Sequence, residues 1–107
     1  MSETLRRVQT LVANGEFEVS RHGLLELAAD KIMLRGVIAG LGSAIAIEDY
    51  PQAQRGPSVL ALQRDAENLE IHVVWGIPKN ARSPAVLITA YRPDPTQWTD
   101  DFTRRQR

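Results

Sequence analysis

Leu69-Glu70-Ile71-His72-Val73-Val74-Trp75 alternates along its length, with Ile71, Val73 and Trp75 in one set and Glu70, His72 and Val74 in the other. A side-chain period of two belongs to an extended chain. β-Branched and aromatic side chains suit a pleated, half-buried surface, so the stretch is predicted to be a strand. The polar run Asp65-Ala66-Glu67-Asn68 before it reads as a turn, and residues 58–63, introduced by Arg55-Gly56-Pro57, read as the preceding strand. Beyond it, a loop over 78–84 carrying Lys79 and Arg82 leads to a strand over 85–92. Upstream, residues 44–50 form another strand that Pro51 ends. Short links favour antiparallel neighbours, because a parallel crossover needs about a dozen residues or more.

Before residue 44 the period is helical. Leu5, Val8, Leu11 and Val12 recur at helix spacing until Asn14-Gly15 stops them. Residues 16–19 are short and extended. Ser20 is placed to cap a second helix running to Asp30, with Leu24, Leu25, Ala28 and Ile32 on one face. Leu34, Val37, Ile38 and Leu41 mark a third helix, closed by Gly42 in the left-handed conformation. Asp94-Pro95 opens a short final helix. The expected fold is α+β: N-terminal helices packed on one face of a four-stranded antiparallel sheet, with a short C-terminal helix, in a single domain over 1–107. In the strand over 85–92, Val86, Ile88 and Ala90 suit the helix-covered face, and Leu87, Thr89 and Tyr91 the open one. If the polar sets share a face, His72, Thr89 and Tyr91 meet on adjacent strands.

Bulk properties narrow the function. Hydrophobic content of 43% and charged content of 24% are those of a soluble globular protein. No apolar run approaches the roughly 20 residues of a membrane span, and the segment Met1 to Arg7 lacks a signal-peptide pattern, which makes the cytoplasm the expected location. Without cysteine there are no disulfides, thiolate nucleophiles or sulfur-rich zinc sites. A formal net charge of zero argues against indiscriminate nucleic-acid binding, which needs clustered cations. Arg104, Arg105 and Arg107, after Asp100 and Asp101, read as a solvated tail. Trp75 and Trp98 read as core or docking aromatics.

Chemistry rests on two histidines. His22 follows the Ser20 cap, near the positive end of a helix, with Glu26 four residues on to orient its ring. His72 lies in a strand, where a lone histidine is more often hydrogen-bonded and half-buried than catalytic. Two such groups on different elements suit metal-independent RNA cleavage, one taking a proton from the ribose 2′-hydroxyl and the other protonating the leaving 5′-oxygen. Arg92 and Arg21 are candidate phosphate forks, Tyr91 a phosphate or base contact, and Thr89 a β-former that doubles as a polar contact. The carboxylates of Glu48-Asp49 have too few oxygen partners for a metal site, and no cofactor is expected.

The ordered series Ser20-Arg21-His22, Glu48-Asp49-Tyr50-Pro51, Arg55-Gly56-Pro57-Ser58, Ile71-His72-Val73-Val74 and Thr89-Ala90-Tyr91-Arg92-Pro93 resembles the domain of unknown function 4258 family, from about Phe17 to the last residues. The resemblance implies a fold of the barnase–EndoU–colicin–RelE group and the role of a type II toxin that cleaves RNA, on the ribosome or free. It also implies a cognate antitoxin of zinc-finger or helix-turn-helix type. By position, it assigns the site to His22, His72, Thr89, Tyr91 and Arg92, with Ser20 and Arg21 beside the first histidine. Glu26 stands where members carry an arginine.

Two functions follow as expectations. One is a metal-independent endoribonuclease with His22 and His72 sharing the proton transfers. The other is a non-catalytic, toxin-like protein-interaction module. Geometry separates them, because an acid–base pair needs both imidazoles at one accessible hollow. A small-molecule role would call for a deep apolar pocket on the open sheet face.

Overall fold

The computed structural model describes residues 2–106, so Met1 and Arg107 lie outside the described residues. Three helices and five strands follow in the order α1 (Glu3–Ala13), β1 (Phe17–Val19), α2 (Arg21–Ala29), α3 (Leu34–Gly40), a 3₁₀ turn (Leu41–Ser43), β2 (Ile45–Tyr50), β3 (Ser58–Arg64), β4 (Glu70–Gly76) and β5 (Ala85–Tyr91). The sheet runs β1-β5-β4-β3-β2. The expected α+β class holds, but the sheet has five strands and is mixed. β1 pairs with β5 in parallel, Phe17 opposite Ala85 and Val19 opposite Leu87. The short-link argument governs only consecutive strands, and β1 finds its partner across most of the chain.

Local chemistry explains the helices. Ser2 caps α1, its Oγ accepting from the Leu5 N–H at 3.0 Å, and Thr4, Leu5, Val8 and Val12 are buried on the face that follows. Gly15, at φ +78°, supplies the left-handed step after α1. Ser20 caps α2, accepting from the Gly23 N–H at 2.9 Å, while its own hydroxyl donates to the Ile88 carbonyl at 2.9 Å. One residue therefore starts the helix and fastens it to β5. Gly23 is in backbone contact with β5, where a Cβ would stand 2.8 Å from the Leu87 carbonyl oxygen. This approach turns Gly23 and Leu27 inward, whereas Leu24, Leu25 and Ala28, expected inside, are exposed. Gly42 is not a left-handed stop. The turn Leu41–Ser43 tightens instead, with Ala44 N–H bonded to the Leu41 carbonyl.

Helices cover one sheet face, and the core lies between them: Val8, Val12, Leu27 and Val37 against Val59, Ala61, Ile71, Val73, Trp75, Ala85, Leu87 and Ala90. Ile71, Val73 and Trp75 face it, as their alternation predicts. In β5 the alternation breaks. Val74 pairs with Thr89 but Trp75 pairs with Leu87, so Ile88 is an extra residue. Ala85, Leu87 and Ala90 therefore face the core, while Ile88 is exposed, reversing the expected faces of Leu87 and Ile88.

Residues 94–106 form no helix. The Asp94 carboxylate takes the Thr96 N–H and hydroxyl in a turn. A small hairpin follows, with the Thr99 N–H bonded to the Arg104 carbonyl, the Gln106 N–H to the Gln97 carbonyl, and Trp98 bridged to Arg105. Asp101 gathers the hydroxyls of Thr99 and Thr103 at 2.7 Å each, and Phe102 takes φ +60°. Such side-chain bonds compete with a helix, and a positive φ ends one.

Among the described residues, Gln63 is the one long polar side chain buried in the helix-facing core. Its Oε1 accepts from Trp75 Nε1–H at 3.1 Å and its Nε2 donates to the Val37 carbonyl at 2.8 Å, so it ties β3 and β4 to α3. Gln63→Ala strands the indole N–H and leaves a cavity, and should cost about 2–4 kcal/mol in urea denaturation. A loss below about 0.5 kcal/mol, the size of an ordinary surface change, would show that the strut carries nothing.

Candidate functional site

On the sheet face away from the helices, His72 sits opposite Tyr91 across β4 and β5. An outward residue would ordinarily meet solvent, yet His72 is 0% exposed. The hairpin over 97–106 lies on top of it. Trp98, itself buried, stands edge-on to the imidazole at 4.4 Å between centroids, and Tyr91 does so at 5.3 Å. His72 Nε2 lies 2.8 Å from the Phe102 carbonyl oxygen and Nδ1 lies 3.2 Å from the Tyr91 hydroxyl. A carbonyl only accepts, so Nε2 bears the proton; in the neutral ring Nδ1 then accepts from Tyr91.

A second layer surrounds this stack. Glu48, on β2, accepts from Arg105 Nε at 2.8 Å and Nη2 at 3.1 Å, and from the Tyr50 hydroxyl at 2.7 Å. The Arg105 guanidinium lies over Trp98, 4.7 Å from the ring centroid. Arg105 is therefore a fastening of the hairpin rather than part of a solvated tail. Its hydrogen bonds hold the Glu48 carboxyl below its ordinary range, against a smaller opposing effect of burial. Burial raises the Tyr91 phenol. Burial also lowers His72; the bond to Phe102 and the charge of Glu48 oppose it, while Arg105 adds to it.

The other anticipated residues lie elsewhere. His22 is in the first turn of α2, its side chain 64% exposed, with Nε2 3.8 Å from Glu26 Oε1. The two histidines share no polar partner among the described residues, and His72 is fully buried while His22 is exposed. Arg21 is exposed beside His22, and Thr89 is half-buried on β5 opposite Val74. Arg92 is occupied, its Nη1 2.9 Å from Asp65 Oδ2, while its backbone N–H donates to Asp30 Oδ2 at 2.9 Å. It thus joins the end of β5 to the β3–β4 turn and to the end of α2. Burial would raise the Asp65 carboxyl, but the N–H groups of Leu69 and Glu67 together with Arg92 bring it below its ordinary value. Of the anticipated set, the structure brings together His72 and Tyr91.

Sequence reading missed Glu48 as their neighbour, and Phe102 and Arg105 as their cover. No group of three or more potential metal ligands occurs among the described residues. At the far end of the open face, a hollow of about 260 Å³ lined by Arg55, Pro57, Ser58, Val86 and Ile88 is smaller than typical ligand pockets. No helix among the described residues is long and apolar enough to cross a membrane.

A family model matches residues 19–92, from the end of β1 through β5. The chain belongs to the family described as Domain of unknown function (DUF4258). No curated protein and no solved structure matches it. The DUF4258 match takes in His22, Glu48, His72, Tyr91 and Arg92. It stops short of the last residues, before Trp98, Phe102 and Arg105, so the cover over His72 lies outside the matched region.

Burial of His72 has a pH signature. The unfolded chain takes up its proton near the ordinary value of 6.5, whereas the folded chain does so only at lower pH. Between those two values the unfolded state binds more protons, so stability is complete above about 6.5 and falls as pH drops below it. From this one group the slope cannot exceed about 1.4 kcal/mol per pH unit. Urea midpoints taken from pH 7.5 to 5 should fall in the wild type, and His72→Gln should be less stable but flatter. Equal slopes in the two proteins would show that His72 is not the group responsible.

Proposed function

We propose that this domain acts in the cytoplasm by binding rather than by catalysis, as a non-catalytic, toxin-like protein-interaction module. His72 carries the reading. A general acid or base must reach its substrate and exchange its proton, and both nitrogens of this ring are bonded within the protein under an indole. α2 supports the reading from another side. Leu24 and Leu25 are 54% and 62% exposed, Ala28 and Ala29 lie beside them, and Arg21 and Lys31 are exposed at the two ends. A helix apolar on both sides is ordinarily covered. The surface suits a protein segment with apolar side chains and acidic flanks, such as an antitoxin-type partner.

One observation favours a second reading, that of a metal-independent endoribonuclease toxin. Glu48, His72, Tyr91 and Arg105 converge on one sheet face, an acid–base and cation cluster that displacement of the hairpin would uncover. In its two-histidine form this reading further requires His22 to be brought to the same phosphate.

RNA decides between the two. Purified protein should leave free and ribosome-bound RNA intact with or without EDTA, and its expression should leave growth unimpaired. EDTA-resistant cleavage that is lost in His72→Ala or His22→Ala, with circular dichroism unchanged, would overturn the binding-only reading and establish the nuclease.

A further inference from the structure

Arg105 does two things at once. Its Nε and Nη2 edge meets the Glu48 carboxylate, and its Cζ lies over the Trp98 ring, 4.7 Å from the centroid. His72 meets the same indole edge-on, 4.4 Å between centroids. The Arg105 side chain is 62% exposed and, among the described residues, pairs with no carboxylate but Glu48, so it can swing into solvent.

The unit that Arg105 presents is N–C–N: two N–H donors, side by side, on a flat group lying over an aromatic ring. Guanine carries the same unit in its N1–C2–N2 edge. Its N1–H and N2–H would meet the two Glu48 oxygens as Nε–H and Nη2–H do now, and its bicyclic face would cover the indole more fully than a guanidinium does. Base–aromatic stacking is a general mode of single-strand and nucleotide recognition. Adenine offers an acceptor at N1, which a carboxylate repels. Hypoxanthine keeps N1–H and lacks the second donor.

We propose that Glu48 and the outer face of Trp98 form a binding site for a guanine base, occupied in this structure by the chain's own Arg105 guanidinium. The site goes beyond the binding-only reading and does not depend on it, since a base stacked outside Trp98 leaves His72 sealed within. Free guanine nucleotide and guanine in single-stranded RNA share this chemistry.

The test is a fluorescence titration. Trp75 is buried in the core, so ligand-dependent quenching reports on Trp98. Arg105→Ala vacates the site and should bind GMP at least tenfold more tightly than the wild type. IMP should bind more weakly than GMP, and AMP should show no saturable binding. Adding Glu48→Gln to Arg105→Ala should abolish GMP binding while the melting temperature shows that the fold persists. Comparing GMP with the trinucleotides ApGpA and ApApA distinguishes the sources: ApGpA tighter than GMP by tenfold or more assigns the site to RNA, and equal affinities assign it to free nucleotide. The proposal fails if Arg105→Ala binds GMP and AMP alike, binds neither at 10 mM, or keeps GMP when Glu48 is replaced. It also fails if arginine methyl ester binds more tightly than GMP, which would make the site a receptor for a protein's arginine.

Discussion

A neutral imidazole can donate from one nitrogen and accept at the other, and His72 does both, toward two different parts of the chain. Nδ1 faces the Tyr91 hydroxyl across β4 and β5, and Nε2 faces the Phe102 carbonyl in the hairpin. The ring is thereby a joint between sheet and C-terminal segment. Trp98 lies on it because the joint brings the hairpin there, and Arg105 meets Glu48 because Trp98 is in place. The hairpin can serve as a cover because it closes on its own bonds, from Gln97 to Gln106 and through Asp101. An apolar residue at position 72 would fill the space but leave the Phe102 carbonyl without its donor, and an unsatisfied buried acceptor costs about 1–3 kcal/mol.

The same arrangement separates the two histidines chemically. Burial beneath the hairpin disfavours the charged form of His72, and the nearby Arg105 guanidinium adds to that. His22 is solvated, at 3.8 Å from a carboxylate that is itself partly exposed. Enzymes bring two titratable groups into contrasting environments beside one substrate. Here one imidazole is fully buried beneath the hairpin and the other is exposed on α2.

Strands were legible wherever local pattern decides them. Alternation in β4 identifies Ile71, Val73 and Trp75 as core residues, and the polar set beside them places His72 next to Tyr91. The pattern fails where a long-range constraint takes over. Nothing within residues 17–19 says that they lie beside β5, since the parallel pairing is made across α2, α3 and three strands. The extra residue at Ile88 shifts the register by one, and a shift of one exchanges faces. Leu24 and Leu25 looked like a buried stripe, but Gly23 brings α2 so close to the Leu87 carbonyl that the helix rests on its backbone at that side. At the C-terminus, Asp94-Pro95 opens a turn as readily as a helix, and the threonines bonded to Asp101 settle it as a hairpin. Of the candidate site, His72 and Tyr91 were visible. Glu48 was seen only as a weak metal ligand, because its true partner lies 57 residues away.

Charge neutrality takes on a different meaning once the pairs are known. Arg6 pairs with Glu3, Arg64 with Glu70, Arg92 with Asp65 and Arg105 with Glu48, so four of the thirteen basic side chains are answered by a carboxylate among the described residues. A protein that tracks a phosphate backbone needs a row of uncompensated cations, and its affinity falls steeply with salt. This surface is built differently. One of its arginines, Arg105, lies over an aromatic ring and leaves the paired acceptors of Glu48 open once it moves. Base contacts specify, whereas phosphate contacts position. A neutral domain with one aromatic-backed carboxylate is therefore suited to recognising a single group of defined shape, and poorly suited to holding a long polyanion by charge.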